Sequence, residues 1–456
     1  AGAPQSLEPL WRVVLKNEFH DILPGSSIRE VYEDAERELG EVIDAGRTAQ
    51  GEALKTLVAR LPRGALTDAL VVVNPSLSER PLRVTLADGS TLATADRVPA
   101  LAIAVLDKAA LRPSGGLTAG ASHLENDFLR VEIGPDGTIA SLFHKPEGRE
   151  ALAGRGNQLW AYPVDKPRNW DAWDIEEDYA ERGEELREVE SIALVESGPN
   201  RAAIRVVKKY RHSTITQTYA LAANSPRLDI ETELDWHDRR VFLRTLTPAD
   251  VRASEATFEV AYGVVKRPTH TNTSWEQAKF EVPAHRFADL SEPGFGLALL
   301  NNAKYGHSAR GNVLGLSLVR SPVYPDPLAD EGRQRFTYSL LPHQGGWEEG
   351  RVREEAEDLN QPLLVAEATG VAPGIVAPLA PAGIEAALSA LKPAEDGNGL
   401  VLRVYEPAGR RGAFSVSLPP GWVAGESVNI LEEPYDRGPG PDLRPFEVRG
   451  WRLRRA

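Results

Sequence analysis

The sequence predicts a mainly β protein with an N-terminal helical segment: a helical-bundle remnant followed by antiparallel β-sandwich domains. Three observations carry this expectation. Apolar residues recur at helical spacing over a long stretch only between about residues 7 and 61. From Ala69 onward the period changes to two, and short apolar runs alternate with turn signals. Up to about residue 350 no helical pattern separates those runs, which argues for antiparallel rather than parallel pairing.

Taken in order, Leu10, Trp11, Val14, Leu15 and Phe19 lie on one helical stripe, the expected buried face of a first helix. Pro24-Gly25 then breaks the chain. Ser27, with Glu30 three residues on and an apolar-periodic run behind it, reads as a capping box opening a second helix. Ile28, Val31, Tyr32, Ala35, Leu39, Val42 and Ile43 keep the helical period, as do Leu54, Leu57, Val58 and Leu61. Pro62-Arg63-Gly64 closes the region. Strands are expected at Leu70–Val73, Leu82–Leu86, Leu129–Ile133 with a hairpin turn at Asp136-Gly137, Ala202–Tyr210, Ile215–Leu221, Leu228–Leu234 and Phe258–Val265. A last block holds Gly399–Tyr405 and Phe414–Leu418. Four units follow: a helical segment over 1–62, a small β domain over 63–118, a large β-sandwich over 119–355, and a C-terminal β-sandwich over 356–456. Residues 351–380, rich in Glu, Ala, Pro and Gly, read as a connector.

With 456 residues, 42% hydrophobic and 26% charged, the chain has the composition of a soluble globular protein with several domains. Its formal charge of −14 argues against a nucleic-acid partner, since nothing would neutralise phosphates in bulk. No run of roughly eighteen or more apolar residues is present, so no membrane helix is expected. The absence of cysteine excludes disulfides, thiolate metal sites and cysteine nucleophiles. Ala1–Gln5 has no signal-segment character, and with the missing cysteines this fits the cytoplasm, with a cysteine-free exported protein as the alternative. Methionine is absent too, even as initiator, and the chain is expected to be part of something longer.

His20 and Asp21 stand side by side where the first helix must end. An imidazole and a carboxylate held at a rigid helix end suit metal coordination or sugar-hydroxyl recognition; the plainer alternative is capping of nearby backbone groups. Trp170-Asp171-Ala172-Trp173-Asp174 places two aromatic faces and two carboxylates in five residues. That combination serves a sugar subsite, by stacking and by accepting hydroxyls, or pins a loop to a sheet. Asp165 and Glu176–Asp178 make the surrounding loop acidic. His270 and His285 have no third ligand at metal spacing and are expected as buried, hydrogen-bonded histidines. Lys304, Tyr305 and Arg310 form a polar cluster that meets either a ligand or the packing of a loop. No Ser-His-acid order surrounds Ser26-Ser27, and no glycine run forms a phosphate-binding fingerprint.

The wording of Asn17–Ile28, Asn-Glu-Phe-His-Asp-Ile-Leu-Pro-Gly-Ser-Ser-Ile, closely resembles the helix-loop-helix of family 38 glycoside hydrolases, the retaining α-mannosidases. Glu18 stands where that family usually has Gln. Further stretches resemble its cytosolic, cobalt-or-zinc-activated branch: Asn169–Asp174, Arg267–Trp275, Ala284–Glu292, Leu299–Gly306, and Arg320-Ser321-Pro322 with Pro325-Asp326-Pro327. The resemblance implies that His20 is a ligand of a divalent metal, zinc first and cobalt as alternative. It also places Asp21 at the sugar subsite. With the reading of the Trp170–Asp174 run, the candidate substrate-binding residues are Asp21, Trp170, Asp171 and Asp174, and no catalytic residue is assigned.

In that family a β/α-barrel precedes the helical segment and carries the nucleophilic and acid/base carboxyl groups and further metal ligands. No βαβα alternation is readable here, so the chain resembles the C-terminal half. Retaining hydrolysis needs two carboxyl groups about 5–5.5 Å apart, and one histidine cannot hold a divalent ion firmly. The chain by itself is therefore expected to show neither hydrolysis nor firm metal binding. The expected partners are an α-mannoside or oligosaccharide substrate, the barrel domain and, as an open alternative, a second copy in a homo-oligomer. A non-catalytic carbohydrate-binding module and an assembly module remain the other readings. The helical segment, deprived of barrel contacts, is expected to be the least stable part.

Overall fold

The computed structural model describes residues 6–163, 167, 169–436 and 442–456; Ala1–Gln5 and Asp165 lie outside the described residues. Helix α1 (Glu8–Asn17) starts with an acidic residue and a proline in its first turn, both suited to a helix N-terminus. It runs beside α2 (Arg29–Ala59). The buried Asn17 amide joins them, donating to the Val13 carbonyl (2.9 Å) and to Glu38 Oε2 (3.0 Å). Lys16 Nζ lies 2.6 Å from Glu38 Oε1.

The stripe expected to be buried is largely bare. Trp11, Leu15 and Phe19 are 59%, 60% and 54% exposed, and Leu23 and Ile28 extend the same apolar surface. Two helices side by side without a third layer leave one apolar face in water. The far end of the hairpin is covered, where Leu57, Val58 and Leu61 pack against Ala69, Val71, Val105 and Val371.

The capping box expected at Ser27 does not form. Ile28 is the N-cap and offers no side-chain bond. Ser27 Oγ instead donates to the Asp21 carbonyl (2.6 Å), and the Ser27 N–H donates to Tyr32 Oη (2.7 Å). The Asp21 carbonyl, in the turn beyond α1, competes for that hydroxyl and wins it. A true capping box sits elsewhere, between Thr273 and Glu276 on the short α3 (Ser274–Gln277).

Ala69–Val73 is the centre of a small antiparallel sheet, flanked by Ile103–Asp107 and Leu364–Ala368, with Gly374–Val376 at the outer edge. The segment expected as a connector thus contains helix α4 (Val352–Asn360) and two strands of this sheet. Leu70, Val71 and Val72 are fully buried, so the strand needs hydrogen-bonded neighbours on both edges and cover on both faces. The hairpin Arg80–Thr85/Thr91–Val98 covers one face through Leu82, Val84 and Val98.

Five-, six- and nine-stranded sheets, all antiparallel, fill Thr118–Gln344 and enclose the main core. Strand alternation is plain in Ser213–Ala222 and Leu228–Trp236, which turn Ile215, Tyr219, Ile230, Leu234 and Trp236 inward. A three-stranded and a four-stranded sheet form the C-terminal sandwich around Leu402, Val404, Phe414 and Leu453. Helix α4 ties these regions together. Its Asp358 and Glu355 meet Arg83 and Arg227, and its Arg353 meets Glu385 at 2.5 Å. Among the described residues no helix is long and apolar enough to cross a membrane.

Candidate sugar cleft

The turn after α1 carries His20 and Asp21. Their side chains point into solvent, 73% and 58% exposed, with His20 Nε2 3.4 Å from Asp21 Oδ2. The His20 ring leans on Phe19, centroids 4.3 Å apart. The Ser27 hydroxyl bond described above fixes the backbone of this turn against the start of α2.

Across from it lies the Trp170–Asp174 loop. Asp21, Ser26, Ser27, Ile28 and Val31 on one side, and Trp170, Ala172, Trp173, Tyr324 and Pro325 on the other, line a cleft of about 590 Å³. Trp170 and Trp173 are 71% and 59% exposed, so both indoles keep free faces. Trp170 sits at φ +59°, an uncommon backbone region for an aromatic residue, and the Trp173 N–H closes the turn onto its carbonyl at 2.8 Å.

Two carboxylates of the loop stand apart from the cleft lining. Asp171 is buried; its Oδ2 accepts the Val323 N–H at 2.7 Å and its Oδ1 lies 3.5 Å from Arg240 Nη1. A carboxylate enclosed this way is committed to a neighbouring guanidinium and an amide, so it does not line the cleft. Asp174 is exposed, accepts the Ile175 N–H at 2.9 Å, and also stays outside the lining. Arg320 Nη2 donates to the carbonyls of both residues, at 2.9 and 2.7 Å, which clamps the loop to the strand end that presents Tyr324. Asp21 is the one carboxylate among the lining residues.

His270 and His285, expected to be buried, are both exposed: His270 sits 3.5 Å from Glu276 and His285 edges onto Tyr305. The enclosed histidines are others. His307 is held between the Tyr305 carbonyl (3.1 Å) and Asn301 (3.3 Å), and its enclosure pushes its pKa down to about 4. His343 pairs with Asp289 at 2.8 Å. Arg310 donates to the carbonyls of Glu276 and Gln277 and serves packing.

Among the described residues no three His, Asp or Glu side chains form a cation site. His20 and Asp21 offer two donors where a protein-held divalent ion normally needs at least three. Their donor set fits a share of such a site and not the whole of it. Nothing local in the sequence marks Ile28, Val31, Tyr324 and Pro325 as sugar contacts. The only signal was the turn-rich run Tyr324-Pro325-Asp326-Pro327, whose tertiary neighbour is unreadable locally.

Three family profiles match the chain in order: the alpha mannosidase middle domain over 2–57, the glycosyl hydrolases family 38 C-terminal domain over 124–328, and the family 38 C-terminal beta sandwich domain over 385–451. The chain belongs to glycosyl hydrolase family 38 and holds its middle and C-terminal regions. It is 37% identical to human Alpha-mannosidase 2C1 over 88% of its length, and 30% identical to Alpha-mannosidase G of Dictyostelium discoideum over 98%. It spans 40% and 48% of those two relatives. An alpha-mannosidase from Enterococcus faecalis shares the fold, with a TM-score of 0.81 at 17% identity over 98% of this chain and 63% of that one.

Proposed function

We propose that this chain is the sugar-gripping and structural portion of a retaining α-mannosidase that releases terminal α-linked mannose from mannosides or oligosaccharides. The observation that carries the reading is the cleft that sets Asp21 opposite Trp170 and Trp173. An indole face stacks on the apolar side of a sugar ring while a carboxylate accepts its hydroxyls. We assign His20 to a divalent-cation site, zinc before cobalt, whose remaining ligands come from another region of the enzyme, and Asp21 to the sugar hydroxyls beside it. Such an ion, when bound, would coordinate neighbouring sugar hydroxyls and help to orient the ring.

The chemistry needs a nucleophile and an acid/base carboxyl group about 5–5.5 Å apart, whereas the cleft lining supplies only Asp21. The pair therefore comes from a catalytic region docked on the bare face of Trp11, Leu15 and Phe19. The cytoplasm suits a cysteine-free acidic enzyme of this kind.

The test is α-mannoside hydrolysis with added zinc or cobalt, using the full-length enzyme and its His20→Ala form. Metal-dependent activity that disappears with His20 is expected, and so is no turnover from the 456-residue chain by itself. Turnover of an aryl α-mannoside by that chain would overturn the division of labour. A second reading, a non-catalytic carbohydrate-binding module, draws on the two free indole faces. It would be favoured by metal-independent mannose binding at Trp170 and Trp173 that His20→Ala leaves intact.

A further inference from the structure

A second cleft, of about 440 Å³, opens between the large β region and the C-terminal sandwich. That volume falls within the roughly 300–1,000 Å³ usual for small-molecule sites. Its wall is built around a committed ion pair. Glu259, only 5% exposed, accepts the Arg286 backbone N–H at 2.9 Å and the Arg286 Nε at 2.9 Å. Nη2 also donates to this carboxylate, which leaves Nη1 without an acceptor among the described residues.

The other polar groups are placed in the same half-used way. Asn360 gives its amide hydrogens to the carbonyls of Asn301 (3.0 Å) and Ala356 (2.8 Å), so its Oδ1 is fixed and has no donor among the described residues. Asn302 Oδ1 is taken by the Thr337 N–H at 2.9 Å, and its NH₂ stays open. Tyr405 belongs to the C-terminal sandwich and lines the cleft with no hydroxyl partner among the described residues.

Aromatic faces stand at the rim. Tyr262 lies edge-on to Tyr405, centroids 5.4 Å apart, and is 47% exposed. It occupies a hairpin turn at φ +61°, where glycine is the unstrained residue, so the turn stores strain to hold a tyrosine there. Tyr305, 60% exposed, faces the cleft from the other side.

Orientated donors and acceptors, aromatic faces, and a guanidinium cancelled by its own carboxylate suit a neutral polyhydroxylated ring. The other cationic lining residue, Lys304, turns its ammonium onto the Phe336 ring at 4.3 Å and toward Gln334 at 3.4 Å, so the set does not suit a strong anion, nor an apolar chain. A polar hollow of about 540 Å³ lies between the two clefts; it shares Ala172 with the first and Ala303–Tyr305 with the second. We propose that the Tyr262–Tyr405 cleft is a second saccharide-binding site, which holds a distal sugar of a glycan whose end enters the Asp21–Trp173 cleft. The link between the clefts rests on the function proposed above; saccharide binding at the second cleft does not.

The test is calorimetric binding of a linear α-linked mannopentaose and of methyl α-mannoside to the chain and to Tyr262→Ala, Tyr405→Phe and Trp173→Ala. Tyr262 is exposed and Tyr405→Phe keeps the ring contact, so both second-cleft variants should fold, with unchanged melting temperature as the control. Each is expected to weaken pentaose binding about fivefold or more and to leave methyl α-mannoside unaffected. Trp173→Ala should weaken both ligands. Pentaose affinity unmoved by both tyrosine variants, or no pentaose binding at all, overturns the second site. If only the tyrosine variants matter and Trp173→Ala changes nothing, the second site stands and the first-cleft reading falls.

Discussion

Asp358 on α4 is the place where one atom change should loosen the small domain from the large β region. Its Oδ2 lies 2.5 Å from Arg83 and 3.1 Å from Arg227, and all three side chains are less than 10% exposed. Glu355 bridges the same two guanidiniums at 2.8 and 2.6 Å, and Asp229 takes Arg227 at 2.8 Å. Arg83 belongs to the small domain's hairpin and Arg227 to the large β region, so the network fixes one against the other. Asp358→Asn keeps the shape and removes one of three carboxylates facing two enclosed cations. An uncompensated buried charge costs about 3–5 kcal/mol; Glu355 and Asp229 remain, so the lower end, about 3 kcal/mol, is expected. The small sheet also anchors the covered end of α2. Loosening it should therefore be felt in the C-terminal half of α2. Amide exchange, resolved by segment, is the suitable assay, because a chain of several domains has no single unfolding free energy. Faster exchange is expected in Arg80–Val98, α4 and the C-terminal half of α2, with the nine-stranded sheet unchanged. Exchange in Asp358→Asn that matches the parent in all three segments would refute the argument. The two arginines hold Asp358 well below the usual carboxylate range, down to about 2. Its contribution is thus complete above about pH 4 and is lost as pH falls through 2.

Three further outcomes are expected. Enclosure and the neighbouring Glu385 carboxylate push Glu354 up to about 7 against the pull of Arg353 and Arg351. A carboxyl group raised in the folded state loses stability as pH rises from about 4.5 through 7. Glu354→Gln should remove that decline and gain on the order of 3 kcal/mol at pH 8; melting temperatures that run parallel across this window would count against it. Asp171→Ala should free the tryptophan loop by removing an amide acceptor and an arginine partner, each loss being worth about 1–3 kcal/mol. Methyl α-mannoside binding should fall about tenfold, and unchanged affinity with unchanged loop exchange would return Asp171 to bystander status. Leu15→Ala and Phe19→Ala should alter the stability of this chain by no more than about 0.5 kcal/mol. Each should weaken association with a separately expressed catalytic region by about 1.5–3 kcal/mol, and equal capture of variant and parent would argue that another surface docks it.

Local pattern was enough for the elements that satisfy themselves locally. The helical period from Leu10 to Leu61 and the alternation in Ser213–Ala222 and Leu228–Trp236 can be read directly, because each side chain's face follows from its backbone period. The Pro24-Gly25 break likewise places His20 and Asp21 at a helix end. What tertiary structure decided involves partners far apart along the chain. Ala69–Val73 pairs with Leu364–Ala368 nearly three hundred residues later, and the pairing leaves no trace in either strand's own composition. Ser27 looks like a cap, yet its hydroxyl goes to Asp21, since two unpaired groups compete and only folding ranks them. Asp171 and Asp174 look alike in a five-residue run, but one turn of backbone buries the first against Val323 and leaves the second in water. The stripe of Trp11, Leu15 and Phe19 is the plainest case. Sequence by itself determined which helix face is apolar, whereas only the packing of neighbouring elements decides whether anything covers it, because burial is a property of neighbours and not of residues.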